Sequence, residues 1–149
     1  MGDRTTVYLT VMQCDKERVQ QFFEFDPEHD DDNCDGNWYF KFSGVNWGIL
    51  QFLYELEEAG IPYDSQWDSG GEYGSGMTVC RFTSDGERTV KEWEDKELGI
   101  STHTLLPLLN DLPKLRTLIL EHHAGVTALP WENQEQYAKL FRARRLVGA

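Results

Sequence analysis

The sequence predicts a single α+β domain: a βαβαββ-type sheet with helices on one face, followed by additional C-terminal helices. Three observations carry that expectation. Two stretches, VYLTVMQCDKERVQQFFEF (7–25) and WYFKFSGVNWGILQFLYEL (38–56), each pass from alternating to helical apolar spacing. A turn-rich middle part, 63–98, holds short extended pieces, and beyond Gly99 the pattern changes to leucine-rich helix. With 149 residues, 40% of them hydrophobic and 13% aromatic, the chain is long enough to bury roughly two-thirds of its unfolded surface around one core.

The elements follow in order. Val7, Leu9 and Val11 share one strand face, as do Trp38, Phe40 and Phe42. Asp15 and Asn46 stand where an N-cap oxygen accepts orphan helix N–H groups. Helical spacing continues through Val19, Phe22 and Phe23, and again through Ile49, Leu50, Leu53, Tyr54 and Leu56. The two stretches align Tyr8 with Tyr39, Gln20 with Gln51 and Glu24 with Glu55, a repeated βα architecture. A β-α-β unit closing by a right-handed crossover allows a ferredoxin-like arrangement. Gly60 followed by Ile61-Pro62 ends the second helix, since glycine accepts the left-handed C′ conformation. Tyr63, Ser65 and Trp67 alternate in one extended piece, and MTVCRF (77–82) answers it across DSGGEYGSG (68–76), whose glycines are expected to supply positive φ. A third piece, RTVKEW (88–93), follows the turn SDGE. Thr104 is placed to cap LLPLLNDL, with Pro107 tolerated in the first turn, and RTLILEHH (116–123) reads as a buried strand or short helix. The last helix is expected over Trp131–Leu146, its Glu132 and Glu135 at the positive end of the dipole and Arg142, Arg144 and Arg145 at the negative end. The domain thus divides into an acidic βαβα half (1–62), a hairpin region (63–98) and a leucine-rich helical part (99–149).

Charge is the strongest functional signal. The net charge is −12, and residues 15–72 alone hold fifteen acids against three bases, while the remaining residues balance. Such a field repels phosphate and anionic lipid and attracts basic proteins from a distance, so direct nucleic acid binding is not expected. No apolar run reaches the roughly 18 residues that span a bilayer, and no signal peptide is expected at the N-terminus. Met1-Gly2 with Thr6 fits the outline of a lipidation start, against which Asp3 argues. Cys14, Cys34 and Cys80 are odd in number and far apart, without a C-x-x-C pair, which points to free thiols in a cytoplasmic protein.

Several patterns resemble chemistry only in part. Asp31, Asn33, Asp35 and Gly36 spell the opening of a calcium loop, but the twelfth position, where a bidentate Glu belongs, is Phe42. The cluster Gly70, Gly71, Gly74 and Gly76 lacks the lysine of a phosphate-binding loop and is flanked by Asp68 and Glu72. His103, His122, His123 and Cys34 lack zinc-ligand spacing, and Cys14 has no histidine nearby in sequence to serve as its base. Trp47, Trp67, Trp93 and Trp131 are expected in the core.

The resulting expectation is a small, acidic, non-catalytic protein-binding domain without cofactor or metal: an inhibitor, an immunity-type protein or a nucleic-acid mimic. Its partner would be a basic protein surface, met by Glu17, Glu24, Asp26, Glu28, Asp30, Asp31, Asp32, Asp35 and Tyr39, where carboxylates steer encounter and aromatics supply buried area. The alternatives are a small enzyme whose pocket the sequence does not identify, and a module stabilised by calcium at Asp31, Asn33 and Asp35.

Overall fold

In a computed structural model, which describes residues 3–148, the chain forms one six-stranded sheet with helices around it. The strands are β1 (Arg4–Met12), β2 (His29–Asp32), β3 (Asn37–Asn46), β4 (Tyr63–Trp67), β5 (Gly76–Phe82) and β6 (Arg88–Glu94). They lie in the order β2-β3-β1-β4-β5-β6, and every neighbouring pair is antiparallel. The helices are α1 (Lys16–Gln20), α2 (Leu53–Glu58), α3 (Thr102–Leu105), α4 (Leu112–Gly125) and α5 (Gln134–Gly148). This is the expected α+β class. Met1 and Gly2, the outline of a lipidation start, lie outside the described residues.

The ferredoxin-like expectation fits the first four strands: β1-α1-β2-β3-α2-β4 stand in the order β2-β3-β1-β4, with every neighbouring pair antiparallel and β5-β6 added at one edge. The strand that the crossover through α1 sets parallel to β1 is β2, because β3, the strand expected to follow α1 directly, lies between the two and runs antiparallel to both, with Leu9 opposite Phe40. The chain returns by way of β2, an edge strand of sequence His-Asp-Asp-Asp. Aspartate is disfavoured in strands, and here the backbone ladder to β3 overrides that preference.

Alternation sorts the sheet into two faces. Val7, Leu9, Val11, Phe40, Phe42, Tyr63, Cys80 and Phe82 are buried on the core face, against Val19 of α1, Leu56 of α2 and Ala138 of α5. Phe23 meets the rings of Phe40 and Phe42 edge-on at 4.9 and 5.0 Å. On the outer face, the segment after α4 crosses β5 and β6: Lys91 Nζ donates to the carbonyls of Ala124 and Thr127, and Arg81 Nε to that of Leu129. The outer face is therefore also partly covered.

The C-terminal end of α2 organises the core side. Gly60 has φ +70°, its N–H bonds to the Glu57 carbonyl and that of Ile61 to the Leu56 carbonyl, so the helix closes in a Schellman turn as the sequence predicts. Arg142 donates to the Gly60 carbonyl at 2.9 Å and Arg145 to that of Glu58 at 3.2 Å. The α5 arginines thus cap the negative end of α2 rather than only their own helix.

Other expectations are corrected. Asp15 makes no cap hydrogen bond; it is buried and paired with Arg18 at 2.9 Å. Asn46 ends β3, and α2 begins only at Leu53. Ser101, not Thr104, caps α3 by accepting the His103 N–H. RTLILEHH lies within α4, which buries none of its residues completely, and α5 starts at Gln134 instead of Trp131. None of Gly70, Gly71, Gly74 and Gly76 has positive φ. Their reason is space: a Cβ on Gly76 would stand 2.5 Å from the Trp93 carbonyl oxygen and collide with the Trp67 ring, and one on Gly70 would collide with Asp3 and Tyr73. Trp47 is not a core residue; 47% of it is exposed.

Candidate functional site: an acidic sheet edge and an aromatic cleft

The β2–β3 hairpin carries the acidic run. Register places His29 and Asp31 beside Lys41 and Tyr39 on the outer face, and Asp30 and Asp32 beside Phe40 and Trp38 on the core face. The turn between them is tight, with Cys34 at φ 60° and Gly36 at φ 86°. Carboxylates stabilise it locally: Asp31 Oδ1 accepts the Asp32 N–H and Asp32 Oδ1 the Cys34 N–H, both at 2.8 Å, and Asp35 Oδ1 accepts the Asn37 N–H at 3.2 Å. Residues spelling the start of a calcium loop are therefore hairpin chemistry, in which short acidic side chains satisfy turn amides. Among the described residues, no group of three or more His, Cys, Asp or Glu side chains is arranged to hold a metal ion.

Glu17, Glu24, Asp26, Asp32 and Asp35 are exposed and Asp30 is half-buried; none of them is ion-paired among the described residues. Glu28 is engaged with Ser43 and with Lys41 at 3.3 Å, which holds its carboxyl below the usual range. Tyr39 is half-buried, its ring 6.0 Å from that of His29. Lys16 lies over the Trp38 ring at 3.4 Å, on the core-face side of the hairpin. Other acids of the 15–72 segment are consumed internally. Asp15 pairs with Arg18, Asp64 with Arg81 at 2.8 Å, and Glu58 with Arg88 and Arg145. Glu55, Glu57, Asp68 and Glu72 also lack an ion pair among the described residues, but the densest run of free carboxylates is 24–35.

Cys14 and Cys80 are not activated thiols. Burial and then the Asp15 charge push the Cys14 pKa up, and burial lifts Cys80 to about 12. All three cysteines are free.

A second feature escaped sequence reasoning. A cleft of about 410 Å³ opens on the core face between the turn after β3 and strands β4–β6, at the opposite end of the sheet from β2. Trp47, Ile49, Leu53, Trp67, Tyr73 and Val90 line it together with the carboxylates of Glu57, Glu92 and Glu94. Its floor is built by Trp67, whose indole N–H donates to the Gly74 carbonyl at 2.9 Å and whose ring packs between Gly48 and Gly76. A Cβ on Gly48 would lie 2.8 Å from that of Trp67. At the rim, Trp47 holds a left-handed φ of 57°, its N–H tied to the Asp3 carbonyl at 2.6 Å. The only sequence signal was the pair Trp47-Gly48 in the middle of an otherwise helical pattern.

No helix among the described residues is long and apolar enough to cross a membrane. No family model matches the chain, and neither a curated protein nor a solved structure matches it.

Proposed function

We propose that this domain is a non-catalytic binder that docks a basic protein surface through the acidic edge built by the loop 24–28 and the β2–β3 hairpin. The observation that carries the reading is the edge strand itself: three consecutive aspartates, His-Asp-Asp-Asp, on an open sheet edge, with Glu24, Asp26 and Asp35 beside them and little neutralising charge. Two copies of such an edge repel each other, so it resists the self-pairing to which open strands are prone. The same charge attracts a basic surface and accelerates encounter. Glu17, Glu28, Asp30, Asp31 and Asp32 belong to this surface, with Tyr39 contributing apolar area on the outer side. Inhibitor, immunity-type and nucleic-acid-mimic roles all use this chemistry, and each implies a cationic partner and no direct contact with nucleic acid.

The test is capture of a cationic partner followed by association kinetics. Association is expected to slow steeply with added salt, because steering is screened over a Debye length of about 10 Å at 0.1 M. Changing Glu24, Asp26 and Asp31 to Lys is expected to lower the on-rate at least about tenfold at low salt. Asp32 and Asp35 are left in place because their carboxylates accept N–H groups two residues on, across the turn, whereas that of Asp31 meets only the adjacent amide. Association indifferent to both salt and these substitutions overturns the reading.

A further inference from the structure

We propose that the cleft between the Trp47 turn and strands β4–β6 is a binding site for an alkylammonium group, either free in a small amine or carried on a lysine side chain. Four observations converge on that class of ligand.

The first is the combination of walls. Trp47 and Tyr73 stand with ring centroids 6.0 Å apart and planes inclined at 43°, forming an aromatic corner above Trp67. The negative ring faces of such a corner attract a cation, and tryptophan is the strongest of the three aromatic types in this role. The second is the sign of the charge. Glu57, Glu92 and Glu94 line the cleft, and among the described residues no lysine, arginine or histidine lines it. Lys96 pairs with Glu94 at 3.0 Å, which leaves Glu57 and Glu92 as the cleft carboxylates without an ion-pair partner among the described residues. Glu57 accepts the Tyr63 hydroxyl at 2.7 Å, which fixes its position from below.

The third observation is apolar surface left in water at the mouth: Ile49 and Val90 are both exposed beside Leu53. A bare metal ion has no use for it, whereas the methylene or methyl groups of an organic cation do. The fourth is the state of Trp47. A large indole in the left-handed region costs on the order of 1 kcal/mol or more, and its exposure forgoes the burial that normally offsets such strain. Strain held at the rim of a cavity of ligand size is the pattern of a preformed site. Core packing does not account for it, because the residue is not in the core.

Binding is read on the full-length protein by following the indole N–H resonances of Trp47 and Trp67 during titration with choline chloride against sodium chloride of equal ionic strength. Saturable shifts are expected, with a dissociation constant of about a millimolar or tighter. The uncharged isostere 3,3-dimethylbutanol is expected to bind at least about tenfold more weakly, since the charge is what the rings and carboxylates recognise. A parallel titration with Nα-acetyl-lysine methylamide separates the two sources: tighter binding than choline assigns the site to a lysine of a protein partner, and weaker binding to a free methylated amine. Trp47→Ala is expected to weaken choline about tenfold and Glu92→Gln about threefold, with partial rescue by Trp47→Phe. Changing Glu24, Asp26 and Asp31 to Lys is expected to leave choline binding unaltered, so failure here and failure of the acidic edge are distinguishable. Absence of saturable shifts, equal binding of the uncharged isostere, or affinity unchanged in both variants overturns the proposal. The isostere comparison needs no substitution and decides the matter even if Trp47→Ala does not fold.

Discussion

The guanidinium of Arg81 stacks on the indole of Trp131, its central carbon 3.7 Å from the ring centroid, although fifty residues separate the two in sequence. Arg81 is 3% exposed and donates to the carbonyls of Leu129, Tyr63 and Cys80 while pairing with Asp64. One side chain thereby ties β4, β5 and the segment leading into α5 together on the outer face of the sheet.

Arg81→Met removes the charge and all of these donors while keeping an apolar stem. A loss of about 3 kcal/mol is expected, because Asp64 is left as an uncompensated, largely buried carboxylate. Urea unfolding measures it. A loss below about 1 kcal/mol shows that the pair contributes position and not stability.

Gln134 replaces a missing strand neighbour. The register of β4 with β5 would next set Ile61 opposite Phe82, but the Ile61 N–H is committed to the Schellman turn and Pro62 has no N–H. The Gln134 side chain, 1% exposed, fills the gap: Phe82 N–H donates to its Oε1 at 2.8 Å and its Nε2 donates to the Phe82 carbonyl at 2.9 Å. Gln134→Leu strands both backbone groups and is expected to cost about 2–4 kcal/mol. Hydrogen exchange at the Phe82 amide should accelerate in step with the loss. Unchanged exchange means that water takes over the role of the side chain.

Asp15 sets a pH dependence. Burial raises its carboxyl above the ordinary value, and Arg18 and Arg142 counter this only in part. With the folded pKa above the unfolded value of about 3.9, the contribution to stability is full below the unfolded pKa and is lost as pH rises through the folded one. Asp15→Asn is neutral at every pH. The variant is expected to be at least as stable as the parent near pH 7, with their urea midpoints converging below about pH 3. A variant clearly weaker at neutral pH means that the Arg18 ion pair outweighs desolvation.

Gly76→Ala tests the packing of the cleft floor. Its φ is ordinary, so the substitution probes space alone, and the added methyl meets the Trp67 ring and the Trp93 carbonyl. A cost of about 1–3 kcal/mol is expected, accompanied by a changed Trp67 fluorescence as the ring is displaced. Gly99→Ala, where a Cβ meets nothing within 4 Å, serves as the matched control and should stay close to the parent.

Local chemistry was legible wherever it was decided by neighbours in sequence. Strict alternation in β1, in Tyr63-Ser65-Trp67 and in β6 identified strands, and Gly60-Ile61-Pro62 identified the end of α2 with its turn type. The acidic run was legible as charge, but its backbone state was not. Three aspartates in a row carry no strand signal, and only the ladder of β3 makes them one. Trp47 misled for a related reason: aromatics are usually core, and only the left-handed turn before α2 places this one at a rim.

What the sequence by itself determined is the α+β class, the strand faces that form the core, and the confinement of the charge imbalance to 15–72, since composition and spacing of two or three to four residues suffice for each. What the tertiary structure decided is which strands become neighbours, which acids are spent in internal pairs and where the cleft opens. Those outcomes join residues far apart in the chain, such as Gln134 with Phe82, Arg81 with Trp131, and Gly48 with Trp67, and no periodicity in one segment encodes the position of another. Long-range pairing is settled by which arrangement satisfies buried backbone groups and fills space together, a condition on the whole chain at once.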